Sequence, residues 1–177
     1  MEDAGAGDRV NRIDLTPYWQ DIVNEAARRS EISARKHPHL DRPWVSDRVL
    51  LGVMGETGYA IATHRKVQLV RNDNVFDGGN DSLCHGRTVD TKGRRHPHRD
   101  MLYELEGQMK ADWYVVVECH PTEWWCECVG CCTRQMLVDA PLAPERITRN
   151  SVPAKIIYER DLLPGQPWMM AEKEMTT

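Results

Sequence analysis

The chain has 177 residues, enough for one domain with a moderate core, and 41% of them are apolar, within the ordinary globular range. Its formal net charge of −4 gives no whole-chain sign of a nucleic-acid binder, although basic residues gather locally. No segment approaches the roughly 18 apolar residues of a membrane span. The first eight residues have neither the basic start nor the apolar core of a signal peptide. These features predict a cytoplasmic protein with no membrane association, its six cysteines reduced.

In chain order, residues 1–13 are small, polar and Gly-containing, and are expected to be flexible. Thr16-Pro17 reads as an N-cap followed by Pro at the first helical position, and Trp19, Ile22, Val23 and Ala26 mark a helix running to about Arg35. Residues 37–43, with two prolines, form a loop, and Ser46 caps a second helix reaching to about His64. Residues 67–70 make a short strand before the polar turn Asn72-Asp73-Asn74. A hairpin over residues 81–92 follows, then a loop over 94–99 and a weakly helical or irregular stretch over 100–110. Residues 113–119 are the best buried strand, 124–131 another, 133–139 a short helix and 156–158 a last strand. Residues 14–164 are expected to form one domain, with 165–177 a loosely ordered tail, and there is no internal repeat. The order predicts an α/β protein with a mixed central sheet flanked by helices.

The hairpin holds the chemistry. A two-residue loop at His85-Gly86 sets Cys84 opposite Arg87, Leu83 opposite Thr88 and Asp81 opposite Asp90. Two carboxylates then share one face, and Lys92 points the same way because strand side chains alternate. Like charges facing one another destabilise a sheet, and a bound cation is the simplest reason to keep them. In the second helix, Glu56 falls on the apolar face with Val49, Val53 and Ala60. Taken alone it reads as a boundary carboxylate paired with an Arg; beside the hairpin it reads as a third metal ligand. Gly52, Gly55 and Gly58 recur every three residues, and their cost to a helix is offset by close approach to the sheet. Hard cations such as Mg²⁺ take carboxylate oxygens, and a neighbouring lysine orients the attacking water or stabilises charge on a phosphate.

Asp81, followed by Asp90-Thr91-Lys92 across a short hairpin with Glu56 in Gly-x-x-Gly-Glu upstream, resembles the bipartite motif of the PD-(D/E)XK nuclease superfamily. The resemblance covers roughly residues 46–140 and is closest to the small phage and prokaryotic members. It implies a restriction-endonuclease-like fold with an αβββαβ core. It also implies a nuclease dependent on Mg²⁺ or Mn²⁺ that hydrolyses phosphodiesters, in DNA in preference to RNA, with a homodimer for duplex cutting. Glu56, Asp81 and Asp90 would bind the metal with the Thr91 carbonyl, and Lys92 would be the catalytic lysine. The chain departs from the motif in having Asn80 where many members have Pro, and Asp77 is a rival for the first aspartate. The hairpin register favours Asp81.

The basic run Arg94, Arg95 and Arg99 would meet the phosphate backbone of a bound nucleic acid, or else form a solvated loop. Cys126, Cys128, Cys131 and Cys132, with Cys119 and His120 upstream, offer a zinc-stabilised binding module as one alternative, and a catalytically inactive nuclease-like binding protein is another. Against zinc, a regular strand would turn Cys126, Cys128 and Cys132 one way and Cys131 the other, so core thiols are the simpler expectation. His37-Pro-His39 and His96-Pro-His98 read as solvated loop histidines.

Overall fold

A computed structural model describes residues 12–36, 42–64, 67, 82–84, 86–96, 101–105, 109–143 and 153–163. The elements are β1 (Ile13–Asp14), α1 (Trp19–Lys36), α2 (Arg42–Ala62), β2 (Ser82–Cys84), β3 (Arg87–Arg95), β4 (Met101–Leu105), β5 (Trp113–His120), β6 (Trp125–Thr133), α3 (Arg134–Asp139) and β7 (Ala154–Tyr158). The main sheet runs β1-β6-β5-β3-β2 and is mixed: β3 and β5 are parallel, and the other neighbours are antiparallel. β4 and β7 pair separately. The expected α/β class with a mixed, helix-flanked sheet is what the chain forms.

Alternation along the strands sorts the core into two layers. Val89 on β3, Trp113, Val115, Val117 and Cys119 on β5, and Cys126 and Cys131 on β6 join Leu15, Ile22, Val53, Met54 and Tyr59 in the larger one, under α1 and α2. Tyr114, Val116 and Cys132 face the other way and pack with Leu137 of α3, Ile157 of β7 and Leu162. The Thr133 hydroxyl caps α3 by accepting the Met136 N–H at 3.1 Å.

The predicted close approach of α2 to the sheet is present, and β3 takes part in it. A Cβ on Gly55 would lie 3.0 Å from the Gly93 Cα, one on Gly58 would strike the Cys126 sulfur, and one on Gly93 would overlap the Leu51 carbonyl oxygen. Gly52 contributes nothing to the contact, since a Cβ there meets no atom within 4 Å.

Several expectations are corrected. A 3₁₀ turn over Thr16–Tyr18 precedes α1, and the Asp14 carboxylate accepts the Thr16 N–H at 2.9 Å, so the side-chain acceptor lies two residues before Thr16. Trp19 is exposed rather than part of the stripe, tilted against Trp124 with ring centroids 6.2 Å apart. α2 starts at Arg42, a full turn before Ser46, with Pro43 in its first turn where no intrahelical N–H is needed. Arg94 and Arg95 are in β3 rather than a loop, because the parallel ladder with β5 continues to Arg95 opposite Cys119. Part of the stretch read as irregular is β4, which has β7 as its partner. β1 begins inside the segment expected to be flexible, with Ile13 opposite Cys126.

The cysteine orientations differ for a local reason. Val117 faces Cys128 but Val116 faces Gly130, so Val129 is an extra residue, a β-bulge. The bulge flips the alternation and puts Cys126, Cys128 and Cys131 on the helix side with Cys132 opposite. The expected strand over 67–70 and the turn after it fall, beyond Val67, outside the described residues, as do Asp77, Asp81 and Arg99.

Candidate functional site

The hairpin register read from the sequence is the one found: Cys84 pairs with Arg87, Leu83 with Thr88 and Ser82 with Val89. Gly86 has φ of 80°, a conformation that only glycine adopts without strain, so it turns the chain between β2 and β3. Asp81 itself lies just outside the described residues, which resume at Ser82. The Thr88 N–H and hydroxyl both donate to one Asp112 carboxylate oxygen at 2.8 Å, tying the start of β3 to the start of β5. These two bonds hold the Asp112 carboxyl below its ordinary pKa.

Asp90 is opposite Tyr114 and Lys92 opposite Val116, so both side chains leave the sheet on the α3 side. The Lys92 ammonium lies 2.8 Å from an Asp90 carboxylate oxygen and 6.0 Å from the centre of the Tyr114 ring. Asp90 is buried, and a buried carboxylate needs such a partner. Thr91 points the other way, its methyl 3.5 Å from where a Cβ of Gly55 would be. The structure therefore brings Asp90 and Lys92 together as expected.

Glu56 lies in the layer across the sheet. Its two oxygens accept from the two terminal nitrogens of Arg29 at 2.7 and 2.9 Å, a bidentate pair, and Arg29 also donates to Glu25 at 2.7 Å. Burial works against the Arg29 charge, but the hydrogen bonds and charges of Glu56 and Glu25 outweigh it and raise its pKa further. Glu56 is thus the boundary carboxylate paired with an arginine, on the helix side, while Asp90 and Lys92 face the opposite side.

Of the basic run, Arg94 is buried opposite Glu118, its Nε 3.8 Å from a carboxylate oxygen, and Arg95 is exposed and ion-paired to Asp47 of α2. A group that sequence reasoning left in the background also emerges. His96, Glu118 and Glu127 place one ligand atom each within 4.8 Å of one another. The His96 ring packs on His120 and Trp125, with centroids 4.6 and 5.3 Å away. The signal was available: a four-residue turn over 121–124 sets Glu118 opposite Glu127 by the arithmetic that pairs Leu83 with Thr88.

The described cysteines are core thiols. Burial pushes Cys131 up to about 11 and Cys128 and Cys132 up to about 12, and raises Cys119 and Cys126 as well. Such thiols stay protonated near neutral pH, so none is poised as a nucleophile. Comparison with family models, curated proteins and solved structures finds no match for this chain.

Proposed function

We propose that the protein is a metal-dependent nuclease that hydrolyses phosphodiester bonds, in DNA in preference to RNA, on a restriction-endonuclease-like fold. One observation carries this function: Asp90 and Lys92, two residues apart on β3, meet at 2.8 Å on one face of a mixed sheet, directly after a tight hairpin. A cation near Asp90 suits the chemistry of that face, because a buried carboxylate is stabilised by positive charge and one oxygen is already oriented by Lys92. Asp81, set opposite Asp90 by the register read from the sequence, is the second carboxylate, and the Thr91 carbonyl a further oxygen donor. Glu56 is tied to Arg29 on the other side of the sheet, so the function rests on Asp81, Asp90 and Lys92, and Glu56 has a structural role.

Mg²⁺ or Mn²⁺ at these oxygens would polarise the phosphodiester and lower the pKa of a bound water. Lys92 would orient the attacking water and stabilise charge developing on the phosphate oxygens. Arg95, half-exposed at the end of β3, leaves the sheet on the helix side, where it pairs with Asp47 of α2, so it supplies no phosphate contact beside Asp90. Arg94 is committed to Glu118 and gives no such contact.

The test is cleavage of plasmid and single-stranded DNA with Mg²⁺ or Mn²⁺, comparing wild type with Asp90→Ala and Lys92→Ala. Each variant should lose about 100-fold in rate, the usual cost of removing one group that stabilises transition-state charge. Absence of cleavage by wild type, or equal cleavage by all three proteins, would falsify the assignment.

A further inference from the structure

We infer a second metal site, distinct from Asp90 and Lys92, in which His96, Glu118 and Glu127 bind a divalent transition cation of the Zn²⁺ or Mn²⁺ class. His96 lies four residues beyond Lys92 along the chain, roughly 13 Å at strand spacing. The site stands or falls independently of the nuclease function.

The first support is the pairing itself. Glu118 of β5 and Glu127 of β6 are direct partners in the antiparallel ladder and share the face away from α1 and α2. Directly opposed side chains have Cβ atoms about 5 Å apart, and like charges there destabilise the sheet. Glu118 is buried, which makes its charge costlier. Arg94 Nε lies 3.8 Å from a Glu118 oxygen, and among the described residues Glu127 makes no ion pair. A divalent cation between two facing carboxylates relieves that repulsion.

The second support is the donor from a third strand. His96 Nδ1 lies 2.9 Å from a Glu118 oxygen. Two donors bound at about 2.1 Å to one metal, at octahedral or tetrahedral angles, sit roughly 3.0–3.4 Å apart. The observed spacing is therefore close to that of two ligands on one ion, and the partly exposed Glu127 closes the remaining distance by side-chain rotation. His96 is also held in place. Its main-chain N–H donates to the Cys119 carbonyl at 2.9 Å, and its ring packs beside the stacked pair His120 and Trp125, whose centroids are 4.4 Å apart. Ligands fixed by neighbouring packing on rigid strands are the arrangement that gives a metal site its affinity.

The donor set selects the ion. One imidazole and two carboxylates suit Zn²⁺ or Mn²⁺, whereas Mg²⁺ and Ca²⁺ favour oxygen donors throughout. Cys126 and Cys128 flank Glu127 in sequence but leave the sheet on the opposite side, so no sulfur joins the set.

Calorimetric titration of the full chain with Zn²⁺ and with Mn²⁺ tests the site. Wild type should bind one ion through these residues, and His96→Ala and Glu127→Gln should each weaken it by about 100-fold. Asp90→Asn should bind that ion as wild type does. Co²⁺ in the same site should show no sulfur-to-metal charge-transfer band. Circular dichroism establishes that each variant is folded, and Glu127→Gln, which keeps shape and removes only charge, decides the matter should His96→Ala fail to fold. Binding unaffected by Glu127→Gln, loss of the ion in Asp90→Asn alone, or a thiolate band with Co²⁺ would each overturn the site.

Discussion

On the helix-covered face of the central sheet, Val89, Val115, Val117, Cys119, Cys126 and Cys131 meet α1 and α2 in a dry layer with backbone against backbone at Gly93. On the opposite face the same strands present Asp90, Lys92, Arg94, Glu118 and Glu127, mixed with Tyr114 and Val116. Strand alternation forces this division, since each strand must divide its residues between both sides. The helix face spends its residues on close packing, where neutral groups and glycines are selected by space. The other face holds charges at fixed positions on rigid strands, each needing an ionic partner because burial removes water. Close backbone packing and fixed charges are thereby concentrated on different sides of one sheet.

Raising the pH attacks the helix face hardest. All five described thiols are raised by burial, four of them on that side. An acid with a raised folded pKa gives stability that is complete below its unfolded value, near 8.5, and that is lost as pH climbs toward the folded value. Each thiol that ionises only in the unfolded chain removes about 1.4 kcal/mol per pH unit, so five approach about 7 kcal/mol per unit once past the unfolded pKa. Urea midpoints measured in chelator should hold nearly level from pH 7 to about 7.5, begin to fall toward 8.5 and fall steeply by pH 10. A flat profile to pH 10 would mean that these sulfurs are wetter than their burial indicates.

Glycine substitutions probe the same face more locally. Gly93→Ala drives a methyl into the Leu51 main chain, where no flexible side chain can yield. It should cost about 3 kcal/mol or more, at the upper end of overpacking effects. Gly52→Ala is the control, because its Cβ meets nothing within 4 Å. That change should stabilise α2 by up to about 1 kcal/mol through helix propensity. Similar midpoints for the two variants would dissolve the distinction between a backbone contact and an ordinary helix surface.

Much of this was legible in the sequence, and the failures have physical causes. The Leu83–Thr88 register followed from one glycine turn, and residues 113–119 announced a buried strand by an unbroken apolar run. Glu56 lay on the inward helical face as spaced, but only the packing of α1 supplied Arg29 as its partner, 27 residues away. The cysteine orientations failed at the Val129 bulge, a one-residue insertion that periodicity cannot detect in advance. β4 carries no local signal because β7, which pairs with it, lies some fifty residues downstream and no local pattern links them. His96 reads as a solvated loop residue beside Pro97 because its contact, Glu118, lies in the neighbouring strand.

The smallest effect is the most discriminating for the polar face. Glu127→Gln in chelator removes a charge that stands directly opposite Glu118 and leaves the shape of the side chain intact. If the two carboxylates repel, the variant should be more stable than wild type by about 0.5 kcal/mol, within the range of cross-strand pair effects. On the helix face, by contrast, substitution of a fully buried group such as Val117 or Cys126 can only cost stability, because every such group is already matched to its neighbours. Saturating Zn²⁺ should reverse the sign for Glu127→Gln: wild type gains about 2.7 kcal/mol at a hundred times its dissociation constant, and the variant gains less. A loss of stability in chelator would mean that Glu127 is neutralised within the protein, and the two faces would then differ in polarity but not in how fully their groups are satisfied.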